Sequence, residues 1–184
     1  MPSPLGLAVP VDLPEVELRV LELEGVVFRC GPSWASVAEV DGPGLRLRSL
    51  GALLPPGVAV ARGAAAWVWG ARGRCPDLVE ACVDIDRRPG LQLSGVRISE
   101  VVVEEGDLVR HGPALVTSVR RTTLDLLRGE SWSLEDVEVV RRLITDHALD
   151  PAALRAVLTA RRRLPHKRRA ITRLDAVRAR LSPR

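Results

Sequence analysis

The hydrophobic and polar positions follow two periods along the chain, so the pattern predicts both helices and strands. In segment 15–24, apolar residues recur three and four apart among charged ones, which predicts a short amphipathic helix. Gly25 is placed to end that helix. Apolar runs at 26–30 and 34–40 flank the turn residues 31–33, and they predict a β-hairpin.

The middle of the chain alternates between helical and strand-like segments. The predicted helices cover 45–54 and 64–69, and the predicted strands cover 78–85, 96–103 and 115–117. Segment 58–61 is either a short strand or part of the entry to the next helix. Residues 104–107 have the composition of a turn. Ser118 is placed to cap the next helix, which should end near Arg128.

The last third of the chain has helical periodicity. Ser133 and Asp136 form a predicted capping box, and Asp150 begins a further helix that should run to about Arg163. A final basic helix is predicted over about 167–181. Its apolar stripe consists of Ile171, Leu174, Val177 and Leu181.

These elements predict a mixed α+β fold with three parts. Segment 1–44 is a winged-helix-like remnant, made of a small helix plus a β-hairpin. Segment 45–160 is an α+β domain that has a mixed sheet with flanking helices. Segment 161–184 is a basic C-terminal helix or tail, which completes a helical C-terminus.

The composition narrows the class of protein. The 184 residues are 46% hydrophobic but include only four Trp, one Phe and no Tyr, so a folded domain must have an aliphatic core. No apolar run has the length of a membrane span, and no basic residue precedes Arg19 to begin a signal peptide. Cys30, Cys75 and Cys82 are an odd, widely spaced set, which argues against a disulfide framework. We therefore expect a reduced, cytoplasmic protein.

The net charge of +4 hides an uneven distribution. Eleven of the 27 basic residues but only one of the 23 acidic residues lie in 155–184, so this segment carries +10 and the remainder −6. We expect the basic residues of this segment to form a cluster that contacts DNA phosphates or an acidic partner. Because no aromatic residue is near the cluster in sequence, we do not expect it to stack on bases. Alternatively, it is a solvated helix that pairs with the acidic body. Deletion of 161–184 should leave the core folded. The predicted contact residues are Arg161, Arg162, Arg163, Lys167, Arg168, Arg169 and Arg173.

Candidate catalytic chemistry is sparse. The cysteines and histidines lack the short paired spacing of a zinc site, no serine lies in a nucleophile motif, and no phosphate loop is present. Asp84 and Asp86 lie two apart near a predicted strand end, where both carboxylates could share a divalent metal. The alternative is an edge strand with solvated acids. We expect no enzyme, no cofactor and no small-molecule ligand.

Three segments resemble the AbiEi antitoxin family, especially its actinobacterial members. Segment 46–57 (RLRSLGALLPPG) resembles the arginine-rich helix that precedes LPPG in the family. Segments 62–70 (RGAAAWVWG) and 116–128 (VTSVRRTTLDLLR) resemble its RTAAWLWG and VTSPARTALDLAR motifs. The three segments occur in the family's order and cover about half of the chain with the stretches between them.

Physical chemistry accounts for these motifs as structural ones. Thr117 and Ser118 cap a helix, whereas Arg121 and Asp125 lie four apart and can pair on one helical face. Trp67 stands among alanines, where a large ring fills the space that small neighbours leave. None of the three motifs supplies a nucleophile or a metal ligand.

The resemblance implies the antitoxin half of a type IV toxin–antitoxin pair, whose cognate toxin is a nucleotidyltransferase-like protein. Family members usually carry an N-terminal winged helix that represses their own operon. Here the segment before the hairpin is too short for the usual three helices and wing, and its helix is acidic, so it should repel phosphates. Two alternatives remain: a stand-alone DNA-binding regulator that uses the basic C-terminus, and a metal-dependent enzyme that uses Asp84 and Asp86.

Overall fold

The computed structural model describes residues 13–87, 93–160 and 164–181. These residues form seven α-helices, a two-stranded hairpin and a mixed five-stranded sheet, so the predicted α+β fold with a helical C-terminus is confirmed. The helices are α1 (Glu15–Leu23), α2 (Pro43–Gly51), α3 (Arg62–Val68), α4 (Val119–Arg128), α5 (Leu134–Asp146), α6 (Pro151–Ala160) and α7 (Lys167–Leu181). The strands are β1 (Val27–Cys30), β2 (Ser33–Ser36), β3 (Ala59–Val60), β4 (Val79–Asp84), β5 (Val96–Val101), β6 (Leu108–His111) and β7 (Ala114–Thr117).

The N-terminal unit is the predicted helix followed by a hairpin. Gly25 has a φ of 73° just beyond α1, a conformation that glycine adopts without strain. The amide of Gly25 donates to the carbonyl of Glu22 (3.0 Å), and that of Val26 donates to Leu21 (2.9 Å). This pair of bonds is the Schellman motif, which ends α1 and turns the chain into the antiparallel β1–β2 pair.

The five-stranded sheet has the order β5-β4-β3-β7-β6. Strand β3 pairs antiparallel with β4 and parallel with β7, while β4 pairs parallel with β5, and β7 antiparallel with β6. The sequence pattern predicted β4, β5 and β7, left β3 open between a strand and a helix entry, and missed β6, a four-residue edge strand. The central strand β3 has only two residues, and both are buried.

The main core lies between the sheet, α2, α3 and the hairpin. The alanines of α3 let neighbouring elements approach closely, and Trp67 fills the remaining space with 5% of its surface exposed. Cys30 and Ala35 of the hairpin belong to the same core, which is continuous across the predicted boundary at residue 44. The boundary itself stays a prediction.

A second core joins the four C-terminal helices. Leu174 and Val177 of α7 are buried against α4, α5 and α6, and Ile171 and Leu181 pack at its edge, so the predicted apolar stripe is confirmed. Helix α7 is therefore part of this second core, which argues against the expectation that 161–184 can be deleted without loss of folding. Within the described ranges no helix is both long enough and apolar enough to cross a membrane.

Candidate functional site

A buried ion network joins the start of α4 to the turn before β6. Arg121 is 6% exposed and Asp107 is 2% exposed. The guanidinium donates from Nε to Asp125 Oδ2 (2.8 Å) and from Nη1 to both Asp107 Oδ2 (2.5 Å) and the carbonyl of Val102 (3.0 Å). Burial alone would lower the pKa of Arg121, but the two carboxylates outweigh it and hold the pKa above its usual value. The predicted pair of Arg121 and Asp125 is present, and Asp107 is a third member that sequence reasoning missed.

The remaining motif residues also have structural roles. Ser118 accepts a hydrogen bond from the amide of Arg121 (3.3 Å) and so caps α4 as predicted. The hydroxyl of Thr117 lies 2.7 Å from that of Thr122, and both residues are buried. The indole of Trp69 donates to the carbonyl of Thr117 (2.9 Å), which ties α3 to the end of β7.

A cleft lies above the ion network, between the sheet and the C-terminal helices. It consists of two cavities of about 200 and 510 Å³ that share Arg121 and Arg128 in their walls. Arg62, which has an unusual φ of 48° at the start of α3, faces the larger cavity. Among the described lining residues, four carry a positive charge and four a negative charge. The charged lining residues are Arg62, Arg120, Arg121, Arg128, Glu100, Glu104, Asp107 and Asp125.

A larger cavity of about 620 Å³ opens beside the hairpin turn. Trp67 forms its floor under Gly31, where a Cβ would meet the indole at 2.9 Å. The volume is in the range that holds small ligands. However, each arginine in the described lining already pairs with a carboxylate. These pairs are Arg29 with Glu15, Arg46 with Asp41, and Arg74 with Asp77.

Several of the basic tail residues bond to the protein's own backbone. Arg173 donates to the carbonyls of Leu127 (3.0 Å) and Gly129 (2.6 Å), so it caps the end of α4. Its guanidinium also lies 4.7 Å from the centre of the Trp132 ring. An aromatic residue is therefore next to the tail in space, contrary to the expectation from sequence distance. Arg169 donates to Gly129 (3.3 Å) as well.

The other predicted contact residues divide into three sets. Lys167 donates to the carbonyl of Thr159 (2.6 Å) and is thus also engaged within the chain. Arg168 is exposed, and its guanidinium has no hydrogen-bond or ion-pair partner in the part of the chain that the structure describes. The remaining three, Arg161, Arg162 and Arg163, lie outside the described residues. Whether the cluster contacts a partner stays a prediction.

The outward side of α7 nevertheless carries free charge. Arg178 and Arg180 are exposed and, like Arg168, lack a partner among the described residues. Asp175 on the same helix pairs with Arg155 of α6 at 2.5 Å. Helix α7 therefore combines a buried apolar side with an outward side on which three arginines remain available.

The candidate metal-binding aspartates do not continue one strand. Strand β4 ends at Asp84, and Asp86 lies in the following 3-10 turn at Ile85–Arg87. The Asp84 carboxylate accepts the amide of Asp86 (3.3 Å) and so caps this turn. In ranges 13–87, 93–160 and 164–181, no three His, Cys, Asp or Glu side chains form a group that could hold a metal ion.

The cysteines lie in settings that suppress thiolate formation. Cys30 and Cys82 are buried, and Cys75 is half-buried. Burial raises the pKa of Cys30 and raises those of both Cys75 and Cys82 to about 11. At neutral pH all three are therefore protonated thiols, which are poor nucleophiles and poor metal ligands.

Comparison with solved structures gives a distant likeness. The crystal structure of the RV2827C protein from Mycobacterium tuberculosis is 19% identical, with a TM-score of 0.48, over 94% of this chain and 71% of that one. No protein-family model matches the chain, and no curated protein matches it. This likeness assigns no function to the chain.

Proposed function

We propose that the protein is an antitoxin of the AbiEi type, which neutralises a cognate nucleotidyltransferase-like toxin in the cytoplasm, either by masking the toxin or by controlling it indirectly. In this proposal the chain is not an enzyme and needs no cofactor. It acts as a folded scaffold that presents interaction surfaces. The resemblance of segments 46–57, 62–70 and 116–128 to the family is the basis of the proposal.

The packing of these three segments supports the proposal. They correspond to α2, to α3, and to β7 with α4, which are separated in sequence but neighbours in the fold. Leu47, Trp67 and Val116, one from each segment, belong to a single buried core. Arg121 and Asp125 of the third segment form the buried pair at its edge. The resembling residues are thus those that hold one structural unit together, as expected if the likeness reflects a shared fold.

Co-expression tests the proposal directly. The toxin to use is a nucleotidyltransferase-like protein encoded next to the gene for this chain. Expression of that toxin alone should arrest growth, and expression together with this protein should restore it. An unrelated protein of similar size in the same vector serves as the control. Failure to rescue growth, with both proteins made in soluble form, would defeat the antitoxin proposal.

A second role in regulation follows from the free charge on α7. Arg168, Arg178 and Arg180 could neutralise DNA phosphates without disturbing the core, and such binding would have little sequence specificity. A mobility-shift assay across salt concentrations should detect the complex at low salt. Replacing the three arginines with glutamine should reduce the slope of log K against log salt by up to about 3. The control variant replaces Arg141 and Arg142 of α5 with glutamine. Absence of binding at low salt would exclude this role.

A further inference from the structure

The larger cavity of the cleft lies over small side chains of the sheet. Ala61 directly follows β3, and Cys82 and Ser99 are partners in the register of β4 and β5. All three residues line the cavity, and their small side chains leave a space of about 510 Å³ between the sheet and the C-terminal helices. A space of this volume suits a small molecule.

One arginine in the wall of this cavity has no partner for its charge. Arg62 is partly buried, and no hydrogen bond or ion pair engages its guanidinium within the described parts of the chain. The other arginines that line the cleft each have a carboxylate partner within it. These pairs are Arg120 with Asp107, Arg121 with both Asp107 and Asp125, and Arg128 with Asp125.

The carboxylates of the described lining are engaged as well. Asp107 and Asp125 belong to the pairs just named, and neither Glu100 nor Glu104 is without a partner. The equal count of charges therefore leaves one positive charge, that of Arg62, without a counter-charge. Because a partly buried cation is stabilised by a hydrogen-bonded anion, the unoccupied partner position at Arg62 favours a negatively charged group.

The backbone at Arg62 supports a role other than stability. Its φ of 48° is a left-handed conformation, which favours glycine over a residue with a side chain. The chain thus keeps an arginine where glycine would be less strained, although the guanidinium makes no contact that repays this cost among the described residues. Such local strain is typical of residues that are kept for binding.

We propose that this cavity binds a small molecule with one carboxylate group and a short aliphatic body, and that Arg62 holds the carboxylate. The two-pronged guanidinium matches the two oxygens of a carboxylate. One negative charge also balances the one unpaired cation, whereas a second charge, as on a phosphate, would meet the three carboxylates that line the same cavity. This site goes beyond the proposed antitoxin function and does not depend on it.

The remaining lining favours an aliphatic body. Val101, Val102 and Leu164 supply apolar surface, and no aromatic side chain on which a nucleobase could stack is among the described lining residues. The hydroxyl of Ser99 has no hydrogen-bond partner in the described ranges, so it is available as a second donor. Sequence reasoning alone predicts no small-molecule ligand, because Arg62, Ser99 and Leu164 come together only in the fold.

An NMR titration of the isotope-labelled protein with isocaproate, a branched aliphatic carboxylate, tests the inference. We expect saturable shifts at the amides of Ala61 and Ser99, with a dissociation constant in the millimolar range for so small a ligand. Isocaproamide, which has the same shape without the charge, should bind at least about tenfold more weakly. Absence of saturable shifts at the cavity, or equal binding of the amide, would overturn the proposal. Tighter binding of inorganic phosphate than of isocaproate would also overturn it.

A matched pair of variants assigns the binding to Arg62. Arg62→Gln should raise the dissociation constant for isocaproate about tenfold or more, because a hydrogen bond between charged groups is lost. Arg97→Gln is the control, since Arg97 is exposed on β5, outside the lining, and its guanidinium also lacks a partner among the described residues. Both variants should melt at the temperature of the parent. Equal affinities of the parent and Arg62→Gln, or a marked loss of stability in Arg62→Gln alone, would refute the role given to Arg62.

Discussion

Replacement of Arg121 with methionine tests the buried ion network most directly. Methionine preserves much of the length of the side chain, but it removes the guanidinium that bridges Asp107 and Asp125. Asp107 is 2% exposed, so water cannot take over that contact in the folded protein. Among the described residues, Asp107 would retain the amide of Glu104 (3.1 Å) and the more distant guanidinium of Arg120 (3.6 Å).

The expected cost follows from this geometry. Two hydrogen bonds to carboxylates are lost, one to the buried Asp107 and one to the largely buried Asp125, each worth about 1.5–3 kcal/mol because the acceptor is charged. Removal of one partner of a buried ion pair costs about 3–5 kcal/mol for the same reason. The free energy of unfolding should therefore fall by about 3–5 kcal/mol. For a chain of this size the melting temperature should drop by roughly 6–20 °C.

Urea denaturation followed by circular dichroism measures the effect, with Arg141→Met as the control. Arg141 also makes two hydrogen bonds to one carboxylate, Glu138 (2.8 and 2.7 Å), but these side chains are 36% and 45% exposed. Its replacement should cost less than about 1 kcal/mol. Equal costs for the two variants, or a cost below about 1 kcal/mol at Arg121, would refute the role given to the buried network.

Two further predictions concern the tail and a buried thiol. Arg173→Met should cost about 1–3 kcal/mol in urea denaturation, because it removes the side-chain donor to the carbonyl of Leu127 and the shorter of the two bonds to Gly129. Arg178→Met should change stability by less than about 0.5 kcal/mol, and equal effects of the two variants would contradict the capping role. Burial raises the pKa of Cys82 from 9.0 to about 11, so iodoacetamide at pH 8 should modify it only after unfolding. Since the raised pKa belongs to the folded state, the stability that this thiol contributes is present below pH 9 and lost toward pH 11. Rapid labelling of Cys82 in the native protein would contradict its burial and raised pKa.

The elements that sequence predicted well are those that local chemistry determines. Ser118 caps α4, and Ser133 forms a capping box with Asp136 at the start of α5. Both signals lie within a few residues of the helix that they begin, so no knowledge of the remaining fold is needed. The pair of Arg121 and Asp125 was equally accessible, because it follows from a spacing of four on one helix.

The features that sequence missed depend on distant partners. Strand β6 has four residues that alternate poorly, and it forms because β7 offers an edge to pair with. Asp107 was recognisable only as a turn residue. It becomes part of the ion network because its carbonyl accepts the amide of Ser118 (2.8 Å), which brings the turn against the start of α4. Neither contact leaves a periodic signal in the sequence.

The basic C-terminus shows why a charge count alone does not define a binding surface. A tally of arginines cannot distinguish Arg173, which caps α4, from Arg178, which faces solvent on the same helix. It also cannot reveal that Leu174 and Val177 are fully buried, with each such side chain contributing about 1.5–3 kcal/mol to folding. Total stabilities are only about 5–15 kcal/mol, so deletion of α7 should unfold the C-terminal helices together with any binding surface that they carry. A loss of binding after such a deletion would therefore say nothing about contact, and only substitutions on the outward side of α7 separate recognition from folding.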